Sequence, residues 1–566
     1  MGYIQEFKKW QEKLENTPYA SELASMTEAE KESCFGASLQ FGTAGLRAVI
    51  GMGTNRMNIF TVRRSTQGLA DYLNSVGAKK GVAIAYDSRR MSDVFAKETA
   101  LVLAANGIKA YLYSTLHSVP QLSFTILHLG LDAGVVITAS HNPKQYNGYK
   151  VYGPDAAQIG VAPAAAVTKA IENTADYFDI KTMDEQTALD AGLLEYIGES
   201  MDEVYFGKVL SLLDLNLIKQ NADKLSIVYT PLFGSGFVPV TNILKRMGVT
   251  LYVVEEQSQP NSSFPGLSAP NPENAESFEK AIALAKEKDA SLILATDPDC
   301  DRLGLAIREK NGGYQILSGN QIGCLLLYYI LKSRKALGNL PADGAVVKSV
   351  VSTELARKIA ESFGLVCFNT LTGFKWIAEK IQQFQEKGDH TFVFGFEESY
   401  GFLSSTFVRD KDGVNASLLI AEAAAWAKTQ GKTLYDILQE IYKTYGYYVE
   451  KVVSVTLPGK DGVVKMKEIM KSLRENPPKE LAGKKVLAVR DYLADTRTDC
   501  DGHVTPAGLP KSDVLYFELV DDAWVCIRPS GTEPKIKLYV NTNAKHPEDS
   551  AKENAELVEA CKALMA

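Results

Sequence analysis

Three aspartates at alternating positions, Asp297, Asp299 and Asp301, lie in the stretch Thr296-Asp297-Pro298-Asp299-Cys300-Asp301-Arg302. A loop turned by Pro298 can aim all three carboxylates at one point, where they would repel one another without a cation. Oxygen-only ligation by few protein groups suits Mg²⁺, a hard ion that keeps water or phosphate oxygens in its shell. The glycine and distant glutamate of a helix-loop-helix calcium site are missing. Cys300 is expected to point away, because a hard ion gains little from sulfur. The plain alternative is a solvated acidic turn.

A second stretch, Thr138-Ala139-Ser140-His141-Asn142-Pro143, follows Gly134-Val135-Val136-Ile137 and precedes Asn147-Gly148-Tyr149-Lys150. The apolar run is β-branched and too short for a helix, so it reads as a buried strand with Ser140 at its end. Open α/β sheets place ligands at the carboxyl ends of strands, and a hydroxyl there beside an imidazole and a lysine is a candidate nucleophile. A third stretch, Arg528-Pro529-Ser530-Gly531-Thr532-Glu533-Pro534-Lys535, gathers donors that suit a phosphate dianion: the planar fork of Arg528, the hydroxyls of Ser530 and Thr532, the backbone at Gly531, and Lys535. It lacks the Gly-Lys-Ser/Thr run of a P-loop. Glu397 and Ser399, in Phe396-Glu397-Glu398-Ser399-Tyr400-Gly401, match vicinal hydroxyls of a sugar. Phe41-Gly42-Thr43-Ala44-Gly45-Leu46-Arg47 reads as a tight glycine turn that would set Arg47 near a phosphate. Arg409-Asp410-Lys411-Asp412-Gly413 supplies a lysine with acidic neighbours.

These loops need strands and helices to hold them. At 566 residues, 46% hydrophobic and 23% charged, the chain has room for about four ordinary domains. A formal charge of -7 leaves no electrostatic footprint for nucleic acid or an anionic membrane. Seven scattered cysteines, without a Cys-x-x-Cys pair, speak against disulfides and zinc and for a cytoplasmic setting. The N-terminus carries no secretory pattern. Leu418–Trp426, interrupted by Glu422, is too short to span a bilayer and reads as a buried helix.

Alternating strands and helices give an α/β domain over 1–200, with a helix start at Thr27-Glu28-Ala29-Glu30, a strand 81–86 leading into Asp87-Ser88-Arg89-Arg90, a largely parallel sheet, and a helical, acidic segment from 160 to 200. A second α/β domain, 201–315, delivers the aspartate loop. A third, 316–438, delivers Glu397 and Ser399. From 439 to 566 alternating strands with two helices suggest an α+β domain holding the Arg528 loop. The fold class is therefore α/β, three consecutive domains with mixed, largely parallel sheets, and a C-terminal α+β domain.

The stretches holding Gly42 to Arg47, Ser140, the three aspartates, Glu397 to Gly401 and Arg528 to Pro534 occur together in an order that resembles the α-D-phosphohexomutase family, the phosphoglucomutases, phosphomannomutases and relatives. Length and the Phe-Glu-Glu-Ser-Tyr-Gly form resemble its longer phosphoglucomutase/phosphopentomutase branch. Pro298 and Cys300 stand where the family often has glycine.

The resemblance implies four domains around a central cleft and a phosphoserine at Ser140, which joins the three aspartates around Mg²⁺. It implies interconversion of glucose 1-phosphate and glucose 6-phosphate through glucose 1,6-bisphosphate, which also serves as activator. Phosphoserine adds about -1.5 to -2 charge, so cations are needed, and Arg302, Lys150, His141 and Arg47 are candidates. Lys150 and Lys411 match family positions near the reacting ends. The general base stays open among them and His141. Thr372-Gly373-Phe374-Lys375 matches a sugar-binding loop, with Thr372 and Lys375 as contacts.

The partners implied are small sugar phosphates for a monomer or dimer. Mannose or pentose phosphate is the alternative substrate within the family. A Mg²⁺-dependent phosphohydrolase and a sugar-phosphate-binding regulator are alternatives from other classes; the Arg528 loop favours the mutase over the hydrolase, which has no need to hold a second phosphate.

Overall fold

The computed structural model describes residues 2–43, 45–174, 176–457, 461–530 and 535–565. The chain forms two compact units. The first comprises Met1–Gly319, Ala378–Lys387 and Ser399–Gly431, the second Asn320–Ile377, Gly388–Glu398 and Lys432–Ala566.

Within the first unit the central strands, Val82–Tyr86 and Ala133–Ile137, are parallel neighbours and apolar along nearly their whole length. Burial on both faces of a sheet demands that composition. Ala110–Tyr113 and Leu194–Ile197 extend the sheet in parallel on one side. On the other side Tyr146–Tyr152 and then Gly45–Val49 join antiparallel, so the sheet is mixed. This corrects two expectations. Arg47 lies in a strand rather than in a glycine turn, paired in register with Gly148. The 160 to 200 segment breaks into helices Val161–Asn173 and Glu185–Asp190 and the strand Leu194–Ile197, whose apolar signal is too short to stand out from its acidic surroundings.

Helix Glu28–Phe35 starts at the Thr27–Glu30 capping box. With the helix Tyr3–Lys13 it carries Trp10 into a fully buried site, edge-on to Phe35, Phe60, Tyr177 and Phe178.

A second sheet of this unit runs Tyr314–Ile316, Leu303–Arg308, Leu292–Thr296, Ser226–Thr230, Thr250–Val253. The first two are antiparallel additions that the sequence pattern did not mark. Helix Gly413–Thr429 is buried along nearly its whole length and packs on Phe237–Met247 and Leu303–Arg308. Its Glu422 carboxylate is buried and accepts a bond from the Asp214 amide, which accounts for a charge inside an apolar helix.

In the second unit Val366–Thr370, Gly344–Ser349 and Thr391–Glu397 form a parallel array. The C-terminal region folds as a largely antiparallel sheet, with Tyr447–Thr456 along Lys535–Ala544, then Trp524–Pro529, Leu515–Leu519 and Lys484–Asp491. Helices Gly462–Glu475 and Pro547–Leu564 are present in this region, where the sequence pattern calls for two. Among the described residues all seven cysteines are free, and no helix is long and apolar enough to cross a membrane.

Candidate functional site

Ser140 follows the strand Ala133–Ile137 and is buried, with φ +51°. Its Oγ donates to Asp297 Oδ2 at 2.5 Å and lies 3.1 Å from His141 Nδ1. Burial, followed by the charges of Arg302 and Arg47, holds the imidazole well below its ordinary pKa. The ring is therefore neutral near pH 7.

Strand Leu292–Thr296 ends at the aspartate loop, and one carboxylate oxygen from each of Asp297, Asp299 and Asp301 falls within 4.8 Å of the others. All three residues are at most 2% exposed. Burial and the charges of Asp299 and Asp301 raise the Asp297 carboxyl well above its ordinary value. Burial and Asp299 raise Asp301 as well. Burial also opposes ionisation of Asp299, but the Lys150 ammonium prevails and holds this carboxyl below the usual range. Asp299 Oδ1 and Asp301 Oδ1 are buried without a hydrogen-bond partner. Buried carboxylate oxygens are costly unless paired or bound to a metal. This oxygen-only set is short of positive charge and fits a hard divalent cation. Cys300 is fully buried.

Two lysines flank the aspartates. Lys150, from the antiparallel strand Tyr146–Tyr152, is 2.9 Å from Asp299 and 3.9 Å from Asp301. Lys411 is 3.0 Å from Asp301 and 2.9 Å from Asp410. The loop carrying Lys411 runs against the aspartate loop because Gly413 permits it. The Gly413 amide donates to the Cys300 carbonyl at 3.2 Å, and a Cβ there would come within 2.7 Å of that oxygen. Arg302 donates its amide to Asp297 Oδ1 at 3.0 Å, while its guanidinium pairs with Glu273. Arg47 Nη1 donates to Asn142 Oδ1 at 3.2 Å, next to Ser140 in the same loop.

In sequence Asp410 stands out only as a neighbour of Lys411, and Glu273 does not stand out at all. Asp410 is buried and accepts from Tyr152 Oη at 2.8 Å and Gln158 Nε2 at 3.1 Å, so it fixes the Lys411 ammonium from behind. Nothing in local spacing marks these partners, because they meet from residues more than 250 positions apart.

The second unit holds most of the remaining candidates. Thr372 sits in the bend before the helix Phe374–Lys387, and Lys375, in its first turn, lies 5.1 Å from the Trp376 ring centre. Glu397 ends its strand, buried, and its Oε1 accepts the Gly373 amide at 2.6 Å, which ties the two expected sugar-reading stretches together. Ser399 follows in a turn and belongs to the first unit. Arg528 lies in the strand Trp524–Pro529. The Ser530 amide donates to the Lys535 carbonyl at 2.8 Å, which closes the base of the loop. Gly531 and Thr532 lie outside the described residues.

Four family models of phosphoglucomutase/phosphomannomutase match the chain in order: the alpha/beta/alpha domains I, II and III over residues 38–178, 203–312 and 318–445, and the C-terminal domain over 466–558. A phosphoglucomutase of Staphylococcus aureus is 38% identical over 547 residues, 96% of each chain. One from Staphylococcus epidermidis is 38% identical over 526 residues, 92% of this chain and 94% of its own.

Among solved structures, parafusin, the phosphoglucomutase and exocytosis-sensitive phosphoprotein of Paramecium, superposes in its open form with a TM-score of 0.69 at 18% identity, covering 94% of this chain and 95% of its own. A phosphoglucomutase/phosphomannomutase family protein of Burkholderia thailandensis gives 0.68 at 19% identity over 93% and 97%. These two likenesses carry the fold; the family models and the Staphylococcus sequences carry the kinship. This chain belongs to the phosphoglucomutase/phosphomannomutase family.

Proposed function

We propose that this protein is a phosphoglucomutase that interconverts glucose 1-phosphate and glucose 6-phosphate through a phosphoserine at Ser140 and a glucose 1,6-bisphosphate intermediate. One observation carries the reading: the Ser140 hydroxyl is set 2.5 Å from Asp297 in a buried triad of carboxylates braced by Lys150 and Lys411. The name shared by relatives 38% identical over nearly the full chain supports glucose phosphate as substrate.

Asp297, Asp299, Asp301 and the Ser140 phosphate would hold Mg²⁺, which when bound supplies the charge that offsets the transferring phosphoryl group. In the first half-reaction the free hydroxyl oxygen of the bound sugar phosphate bonds to phosphorus, and the bond from phosphorus to Ser140 Oγ breaks. The net proton passes from the sugar hydroxyl to Oγ. His141 Nδ1, 3.1 Å from that oxygen, is placed to serve its end of the transfer. After the bisphosphate turns over, the second half-reaction runs the same chemistry in reverse with the other phosphate.

Phosphoryl transfer needs mainly positioning and charge stabilisation. Lys150, Lys411, Arg302 and Arg47 supply the positive charge. Glu397, Ser399, Thr372 and Lys375 bind the sugar. Arg528, Ser530, Gly531, Thr532 and Lys535 grip the phosphate that is not reacting. The enzyme works on small molecules in the cytoplasm, as a monomer or dimer, with no nucleic acid or membrane partner.

The test compares kcat/KM for glucose 1-phosphate, mannose 1-phosphate and ribose 1-phosphate, with Mg²⁺ and a trace of the corresponding bisphosphate, since discrimination is differential transition-state binding. Preference for glucose 1-phosphate supports the reading. Preference for ribose 1-phosphate would make the protein a phosphopentomutase. Steady phosphate release without isomerisation would make it a hydrolase.

A further inference from the structure

Ser140 holds φ +51°, the left-handed region that a residue with a Cβ disfavours, so something must keep it there. Both sides of its peptide are seized. Its amide donates to Thr138 Oγ1 at 2.7 Å, and its carbonyl accepts from Arg89 Nη2. The Arg89 guanidinium is completely buried and also donates to the carbonyls of Asn142, Pro143 and Tyr146, the last two at 3.0 and 3.1 Å. One planar fork thus fixes four carbonyls between Ser140 and Tyr146, the first residue of the next strand.

Asp87 stands behind both groups. Its Oδ2 accepts the Thr138 hydroxyl at 2.6 Å and lies 3.3 Å from Arg89 Nε, and its Oδ1 accepts the Arg89 amide at 2.9 Å and Ser92 Oγ at 2.7 Å. Thr138 Oγ1 is also 3.2 Å from Asp299 Oδ2. Its single proton is therefore shared between the buried carboxylate behind it and the aspartate triad in front. Asp87 and Arg89 follow the strand Val82–Tyr86, the parallel neighbour of the strand that delivers Ser140, so two adjacent strand ends build one apparatus.

We propose that the Thr138 hydroxyl, anchored by Asp87 and backed by Arg89, is a positioning group for phosphoryl transfer: it ties the Ser140 amide to Asp299 and so sets the direction of Ser140 Oγ. The inference rests on the reading of Ser140 as the phosphoryl carrier. Thr138, Asp87 and Arg89 act through the nucleophile, since their contacts run to the Ser140 peptide and to one another.

The test uses Thr138→Val, which keeps the shape and removes the hydroxyl, and Thr138→Ser, which restores it, each assayed beside wild type in the full chain. Thr138→Val should keep KM for glucose 1-phosphate while kcat falls by about a hundredfold, the usual consequence of a reacting group misplaced by a fraction of an ångström to an ångström. Intact mass should show glucose 1,6-bisphosphate phosphorylating Ser140 more slowly in Thr138→Val than in wild type, to the same final stoichiometry. Thr138→Ser should recover most of both rates.

Near-normal kcat in Thr138→Val, a loss that scales only with the fraction unfolded, or a serine variant no better than the valine one would overturn the inference. Should the valine variant fail to fold, Asp87→Asn carries the same test, with the same split between kcat and KM expected and unchanged kcat overturning it. A wild-type protein without isomerase activity would overturn the Ser140 reading and this inference together; an active wild type with an unaffected variant overturns only the inference.

Discussion

Ser140, the three aspartates and the two lysines form a cluster in which burial and the neighbouring charges together set the ionisation of each carboxyl. Lys411 lies between Asp301 and Asp410, so Lys411→Met removes the cation that offsets charge on that side of the triad. Its kcat should drop by about 10² to 10⁴, the range for losing one acid, base or charge-stabilising group. Steady-state kinetics checks this, and a change confined to KM would count against the assigned role. Chelation of divalent cations should abolish isomerisation, and Mg²⁺ should restore it. The orphaned oxygens of Asp299 and Asp301 add a second readout. Mg²⁺ at a hundred times its dissociation constant should stabilise the protein by about 2.7 kcal/mol, seen as a higher Tm. Asp299→Asn should lose that shift.

The strands that end in chemistry were legible because burial on both faces forces an uninterrupted β-branched run: Ala133–Ile137 and Leu292–Thr296 stand out, and the polar residues after them are conspicuous. The antiparallel additions were not. Gly45–Val49 carries Arg47 in an exposed edge position, and Gly45, with Gly42 just before the strand, mimics a turn. Leu303–Arg308 and Tyr314–Ile316 hide for a similar reason, lying next to charged loops. The supports around Lys411 were invisible in sequence because Tyr152, Gln158 and Asp410 meet only through the fold. Asp87 and Arg89 were readable in principle, since they follow a strand of the same form as the one before Ser140. The close approach of the Lys411 loop to the aspartate loop depends on Gly413, where a methyl group would meet the Cys300 carbonyl oxygen at 2.7 Å. Gly413→Ala should cost about 1–3 kcal/mol, as overpacking does, and should lower kcat by shifting Lys411. A Tm and kcat equal to wild type would contradict that packing.

Each compact unit carries its own core, one built around Trp10 and the first sheet, another around the C-terminal sheet. Two-state unfolding is not expected of such a chain, so calorimetry should resolve more than one transition. Trp10→Ala should cost the first unit about 3–5 kcal/mol and lower only its transition. In the second unit the fully buried Lys348 pairs with Glu354 at 3.0 Å. Burial opposes ionisation of Glu354, but Lys348 and Arg357 hold its carboxyl below the ordinary value of 4.5. A depressed folded pKa gives stability that is full above about 4.5 and lost as pH falls through the folded value. Lys348→Met should therefore destabilise the second unit at neutral pH and flatten its stability profile below the ordinary glutamate value, which acid titration followed by calorimetry checks.

The phosphomutase mechanism stands on Ser140 carrying the phosphoryl group. Its most direct test is the initial rate of glucose 6-phosphate formation from glucose 1-phosphate by wild type and Ser140→Ala, with Mg²⁺ and glucose 1,6-bisphosphate present. Wild type should turn over briskly and the variant not at all, although the variant should still bind glucose 1-phosphate; turnover by Ser140→Ala near the wild-type rate would overturn the phosphoserine mechanism.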